Sequence, residues 1–136
     1  MIEYRTHAEG VTPEQLSGFF DGWPQAPSRE SHLQILQRSS EVVLAFDTES
    51  SRVVGFITAI SDGFLAAYIP LLEVLPSHRG QGVGAELVRR MLDRLSTIYM
   101  VDLVCDPELV PYYEKLGLSH LAGMAKRNPR ALSALA

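Results

Sequence analysis

Apolar residues recur along this chain with two different periods, and the changes of period mark its elements. Ile2 to Thr6 predicts a first strand. Thr12-Pro13-Glu14-Gln15 joins a cap, a first-turn proline and a capping-box glutamine, which predicts a short helix to about Phe20. Asp21-Gly22-Trp23-Pro24-Gln25-Ala26-Pro27 breaks regular structure before Ser28 caps a second helix running to about Arg38. Glu41–Phe46 and Arg52–Ile60 are β-rich, and the polar segment Asp47-Thr48-Glu49-Ser50-Ser51 between them has hairpin length. Asp62-Gly63 turns the chain into a third long strand, about Phe64 to Leu75, antiparallel to its neighbours. Pro70 cannot donate to a ladder, so a bulge or a break in pairing is expected there, with the sheet opening nearby.

From Val83 the period becomes helical: Val83, Leu87, Val88, Met91, Leu92 and Leu95 form one broad stripe, which packs on the sheet. Met100–Cys105 predicts a short strand, and Asp106-Pro107-Glu108 starts a helix ending at Leu116, with Gly117 in the left-handed position. Leu118 to about Ala125 is expected as a last strand, and the tail after Asn128 as irregular. This order describes one α/β domain, residues 1–136, with a mixed, mostly antiparallel twisted sheet flanked by helices and a right-handed crossover through the glycine-led helix.

Composition narrows the function. A length of 136 residues suits one core that needs neither disulfide nor metal, and the single Cys105 cannot bridge internally. No apolar run approaches the roughly 20 residues that span a bilayer, and Met1-Ile2-Glu3-Tyr4-Arg5 carries no export signal, so a cytoplasmic protein without membrane contact is expected. A net charge of −4 with scattered cations argues against nucleic acid. His7, His32 and His120 lack ligand spacing, and no metal site is expected. Cys105 reads as a small buried residue rather than a nucleophile, because no histidine is positioned to activate it.

The chemistry centres on Leu72-Glu73-Val74-Leu75-Pro76-Ser77-His78-Arg79-Gly80-Gln81-Gly82-Val83-Gly84. It has neither the Lys-Ser/Thr of a Walker loop nor the spacing of a dinucleotide fingerprint. Glycines at 80, 82 and 84 lead directly into a helix, whose first amides lack intrachain acceptors and carry the positive end of its dipole. Such a turn suits a pyrophosphate; equally, it could serve only as a tight strand-to-helix connection.

Val74–Gly84 resembles the acetyl-CoA signature of the GCN5-related N-acetyltransferase (GNAT) superfamily, with Arg79, Gly82 and Gly84 filling its Arg/Gln-x-x-Gly-x-Gly/Ala core. Pro111-Tyr112-Tyr113-Glu114-Lys115-Leu116-Gly117-Leu118 is similar to that family's second motif. The resemblance implies a GNAT-type sheet with a V-shaped gap between the third long strand and the one ending near Cys105, holding the pantetheine arm. It implies main-chain contacts from Glu73, Val74 and Leu75, and a pyrophosphate on the Arg79-Gly80-Gln81-Gly82-Val83-Gly84 turn. Tyr113 matches the tyrosine beside the cofactor sulfur and is expected as catalytic acid, whereas Tyr112 is expected to pack. Asp106 stands where relatives often carry Asn and is expected to cap a helix instead.

Glu73 leads as general base, because strand alternation puts it on a face with Leu71 and Leu75; a solvated edge position is its bland alternative. His78 is a weaker candidate. The aromatic loop Phe19-Phe20-Asp21-Gly22-Trp23-Pro24 falls where the family recognises its acceptor, so Phe20 and Trp23 are the expected substrate contacts, against a reading in which Trp23 only closes the core. The implied activity is direct acetyl transfer from acetyl-CoA to a primary amine of a small molecule or peptide in a ternary complex. The rivals are a non-catalytic acyl-CoA-binding or sensing module and, more remotely, a nucleotide-binding protein. Free sheet edges near the C-terminus make a homodimer an expectation.

Overall fold

The computed structural model describes residues 1–136. Its strands are β1 (Ile2–Arg5), β2 (Glu41–Asp47), β3 (Arg52–Ser61), β4 (Ala66–Val74) and β5 (Met100–Asp102), and its helices α1 (Arg29–Arg38), α2 (Val83–Arg94) and α3 (Val110–Lys115). The sheet runs in the order β1-β2-β3-β4-β5, antiparallel except for the parallel pair β4–β5 that α2 connects.

β2 and β3 read as nearly continuous apolar runs because both of their faces are covered, and every residue of Val42–Phe46 and Val53–Ala59 is buried. On one face the α2 stripe of Val83, Leu87, Val88, Met91 and Leu95 is buried against β2, β3 and β4 as predicted, each side chain contributing about 1.5–3 kcal/mol. Gly55 lets this helix approach, since a Cβ there would lie 3.1 Å from Leu87 Cδ1 and 3.2 Å from the Glu73 carbonyl. On the other face the rings of Phe19, Phe20, His32 and Phe56 pack edge-on or tilted with centroids 4.4–6.0 Å apart.

Ser28 caps α1 as expected, its Oγ accepting from the Ser31 amide at 3.1 Å. Four expectations need correction. The helix predicted to reach Phe20 is one 3₁₀ turn, Pro13–Leu16, because Gly18 (φ +95°) and Phe20 (φ +65°) take left-handed backbone and end it. Asp106 makes no capping bond: the turn Pro107–Leu109 is 3₁₀ and closes through main chain, the Leu109 amide donating to the Asp106 carbonyl at 2.9 Å. The last strand is absent, and residues 119–128 carry no regular structure. Leu118, Leu121 and Met124 recur every three residues rather than every two, so no strand face would collect them. The tail expected as irregular forms a 3₁₀ helix, Pro129–Leu135, tied back to α1 by the Ser28 amide donating to the Leu135 carbonyl at 2.8 Å.

Candidate active site

The opening predicted from Pro70 is present. Thr58 pairs with Leu71 and Ile60 with Tyr68, so Ile69 and Pro70 together oppose Ala59 alone in a bulge on β4. β4 pairs with β5 only over Ala66–Tyr68, opposite Met100–Asp102, and beyond that point the two strands share no ladder. The resulting gap is bordered by the second half of β4, the segment after β5 and α3.

Ladder alternation fixes which main-chain groups of β4 face the gap. The Leu75 amide donates to the Val54 carbonyl at 2.8 Å, so Leu75 points its main-chain groups toward β3, and its carbonyl accepts from the His78 amide at 2.9 Å. That corrects its place among the expected cofactor contacts. Residues 71, 73 and 75 therefore turn their polar groups toward β3, and 72 and 74 turn theirs toward the gap. The Val74 carbonyl, on the gap side, accepts from Arg79 Nε at 3.0 Å. Leu72 is a residue that the sequence reading missed, since the phase of a ladder depends on a partner strand.

At the mouth of the gap, Gly80 (φ +75°) and Gly82 (φ +82°) both take left-handed backbone with open space where a Cβ would stand, and Gly82 is the N-cap of α2 without a side-chain cap. The first amide to bond back into α2 is that of Glu86, to the Gly82 carbonyl at 3.0 Å; those of Gln81, Gly82, Val83, Gly84 and Ala85 donate to no carbonyl of the chain. This is a row of unpaired donors on a helix N-terminus, suited to a pyrophosphate. Gly84 has a second duty, because its Cβ would lie 3.0 Å from Tyr112 Oη, where α3 closes on α2.

Tyr113 sits half-buried, its ring edge-on to Tyr112 at 5.1 Å. The turn that ends α3 fixes its backbone: the Leu118 amide donates to the Tyr113 carbonyl at 3.2 Å and the Gly117 amide to that of Glu114 at 3.1 Å, with Gly117 at φ +97° as predicted. Burial first, then the neighbouring Tyr112 and Cys105, pushes its phenol up to about 12. Tyr113 is thus a protonated donor across the whole neutral range.

Glu73, on β4, accepts from the Phe20 amide through Oε1 at 2.9 Å. Burial raises its pKa; the Phe20 amide and Arg79 act in the other direction, and Asp21 adds to the rise. It therefore latches the loop 17–23 onto β4. Arg52 holds the start of the same loop through the Ser17 carbonyl and Oγ, and Gly18 abuts Leu75. Of the two expected substrate contacts, Phe20 is 3% exposed with its ring inside the aromatic cluster, whereas Trp23 reaches the surface at 38%. His78 stands at the outer end, with Nδ1 2.8 Å from Ser77 Oγ and Nε2 3.5 Å from Asp47 Oδ2. Cys105 is a free, partly buried thiol on the β5 side.

A mixed sheet that splays between its two parallel strands, with a bare amide turn leading into the helix that connects them, is the arrangement of the acetyltransferase fold. The chain belongs to the acetyltransferase (GNAT) family, whose model matches residues 8–118. It is similar to a provisionally assigned acetyltransferase from Deinococcus radiodurans R1, at 48% identity over 97% of this chain and 92% of that one with a TM-score of 0.93. A GNAT family protein from Streptococcus pneumoniae TIGR4 is 29% identical over 94% and 98% of the two chains, with a TM-score of 0.75. An uncharacterized N-acetyltransferase of Porphyra purpurea is 25% identical over 84% of this chain. The chain spans 68% of that relative's length and 57% of a like-named protein of Pyropia yezoensis. No helix is long and apolar enough to cross a membrane.

Proposed function

We propose that this acetyltransferase moves the acetyl group of acetyl-CoA directly to a primary amine of a small molecule or peptide, within a ternary complex. The observation that carries the reading is the row of unpaired amides, Gln81 to Ala85, leading into α2 beside the β4–β5 gap, and the resemblance to the family assigns Tyr113 of α3 to the same gap. The amides hold the diphosphate, Arg79 adds positive charge beside them, and Leu72 and Val74 pair with the pantetheine amides from the open edge of β4. Acetyl-CoA supplies a thioester whose acetyl carbon bonds to the amine nitrogen as its bond to sulfur breaks.

The chain's residues manage the charge and the protons. Glu73, as carboxylate, removes the proton that the nitrogen must lose, directly or through water. Tyr113 donates a hydrogen bond to the departing sulfur. Burial pushes the Tyr113 phenol up to about 12, above the range of a thiol, so complete proton transfer to the sulfur is uphill. Donation without full transfer is accordingly its role, and the thiolate takes its proton from solvent. Trp23 offers the exposed aromatic surface for the body of the amine, with Phe20 behind it as support. Partly buried, unpaired Cys105 suits a reducing, cytoplasmic location.

Calorimetric titration with CoA, followed by free-thiol release over a panel of amines, tests the reading. Saturable binding with turnover on at least one amine is expected. Binding without turnover on any amine would replace it with the sensing module, and absence of binding would remove both.

A further inference from the structure

The register of the sheet sorts the side chains of β4 and β5 onto two faces, because residues directly opposite each other in a ladder share a face. Ala67 is buried and pairs with Val101, which packs against the core. The other face carries Phe56 opposite Glu73, Thr58 opposite Leu71, Ile60 opposite Tyr68, and Tyr68 opposite Asp102. Tyr68 and Glu73 are five positions apart, which in a regular strand would put them on opposite faces. The extra residue of the Ile69–Pro70 bulge resets the phase and brings them onto one.

This row begins covered and ends open. The rings of Phe19, Phe20 and His32 pack over Phe56, whereas Tyr68 is 38% exposed and Asp102 is exposed. Asp21, from the loop that Glu73 holds, lies near enough to act on the Glu73 charge, and Trp23 stands edge-on to Phe20 at 5.0 Å with its outer part exposed. Two cations flank the row: Arg79, near Glu73, whose Nε donates to the Val74 carbonyl, and Arg38, which borders Ile60. Neither forms an ion pair with Asp21 or Asp102. Four residues of β3 separate Phe56 from Ile60 and Asp102 is one strand beyond Tyr68, so the backbones of Glu73 and Asp102 stand about 14 Å apart.

We infer that Tyr68 and Asp102 select the acceptor, an elongated diamine or polyamine whose reacting nitrogen reaches Glu73 while a second ammonium lies over the Tyr68 ring and against the Asp102 carboxylate. The inference rests on the acetyl-transfer reading for which nitrogen reacts, and adds to it a demand for charge at the far end. The ring face attracts a cation, the carboxylate pairs with it, and half-buried Leu71 between the two ends offers an apolar surface to an aliphatic spacer. A monoamine leaves Asp102 unpaired, and a short diamine cannot span the row.

Calorimetry in the presence of CoA tests this with three probes: diaminodecane; aminodecanol, in which a hydroxyl replaces one ammonium; and diaminopropane, too short to reach both ends. Diaminodecane is expected to bind roughly 3–30-fold more tightly than either of the others, the worth of one exposed ion pair and one cation–π contact. Asp102→Asn and Tyr68→Leu should each bring that ratio toward one, and Asp102→Glu should preserve it, with circular dichroism confirming that each variant is folded. Equal affinities in the native chain, no binding of diaminodecane, or a preference undiminished in Asp102→Asn would overturn the proposal. Thiol release from acetyl-CoA with the same amines tests the other reading separately. Preferential binding without release overturns acetyl transfer and leaves the diamine site standing; release without preference overturns the selection alone.

Discussion

Glu73 carries two separable duties, and paired substitutions divide them. Its Oε1 accepts from the Phe20 amide, and Phe20 is held at φ +65°, a backbone conformation that costs a non-glycine residue about 1 kcal/mol or more. A hydrogen bond to a charged acceptor is worth about 1.5–3 kcal/mol, and the open side of Glu73 trims that toward the lower end. Glu73→Ala removes acceptor and base together. It should lower stability by about 1–2 kcal/mol, or roughly 3–8 °C in the melting temperature of a domain of this size. Glu73→Gln keeps a carbonyl oxygen for Phe20 and should melt within about 2 °C of the native chain, while losing about 10²–10⁴-fold in kcat/KM as the base disappears. Melting by circular dichroism and initial rates of thiol release separate the two. If the glutamine variant kept native kcat/KM, Glu73 would not be the base; if the alanine variant melted like native, the latch would contribute nothing. The pH profile adds a sign. Burial raises the Glu73 pKa, so the acid limb of kcat/KM should lie above the ordinary carboxylate range and vanish in Glu73→Gln.

Tyr113→Phe should reduce kcat by about 10–100-fold, the worth of one hydrogen bond to a developing thiolate, with little change in CoA affinity measured by calorimetry. His32 is fully buried among Phe19, Phe20 and Phe56 with both ring nitrogens unpartnered; burial lowers its pKa to about 4, and the Leu16 carbonyl, just outside hydrogen-bond geometry, softens the shift. The stability that its neutral form supports is complete above the unfolded value of 6.5 and is lost as pH falls toward 4. Urea unfolding should therefore show a decline of about 3 kcal/mol across that window, absent in His32→Leu. Gly84→Ala places a Cβ 3.0 Å from Tyr112 Oη, so it should weaken CoA binding and lower the melting temperature, and the added change Tyr112→Phe should restore part of both; no rescue would mean that the hydroxyl is not the obstacle.

The amino-acid sequence determined a good deal of this protein, because the relevant signals are local. Period-two and period-3.6 apolar patterns placed β2, β3, β4, α1 and α2 within a residue or two, and Pro70, lacking an amide proton, marked the bulge at which the sheet opens. Gly117 was legible as a left-handed position because only its neighbours in the chain set that need, and the glycines at 80, 82 and 84 marked the amide turn before α2 for the same reason. Tertiary structure alone decided what depends on partners distant in sequence. Whether Leu72 or Leu75 offers main-chain groups to the gap follows from the register of β4 on β3. The aromatic residue that faces outward follows from Phe20 meeting His32 and Phe56, and the Glu73–Phe20 latch joins groups fifty-three positions apart. Leu118 to about Ala125 reads as a strand only while a neighbour is assumed for it, and within the chain none is there to supply the hydrogen bonds a strand requires.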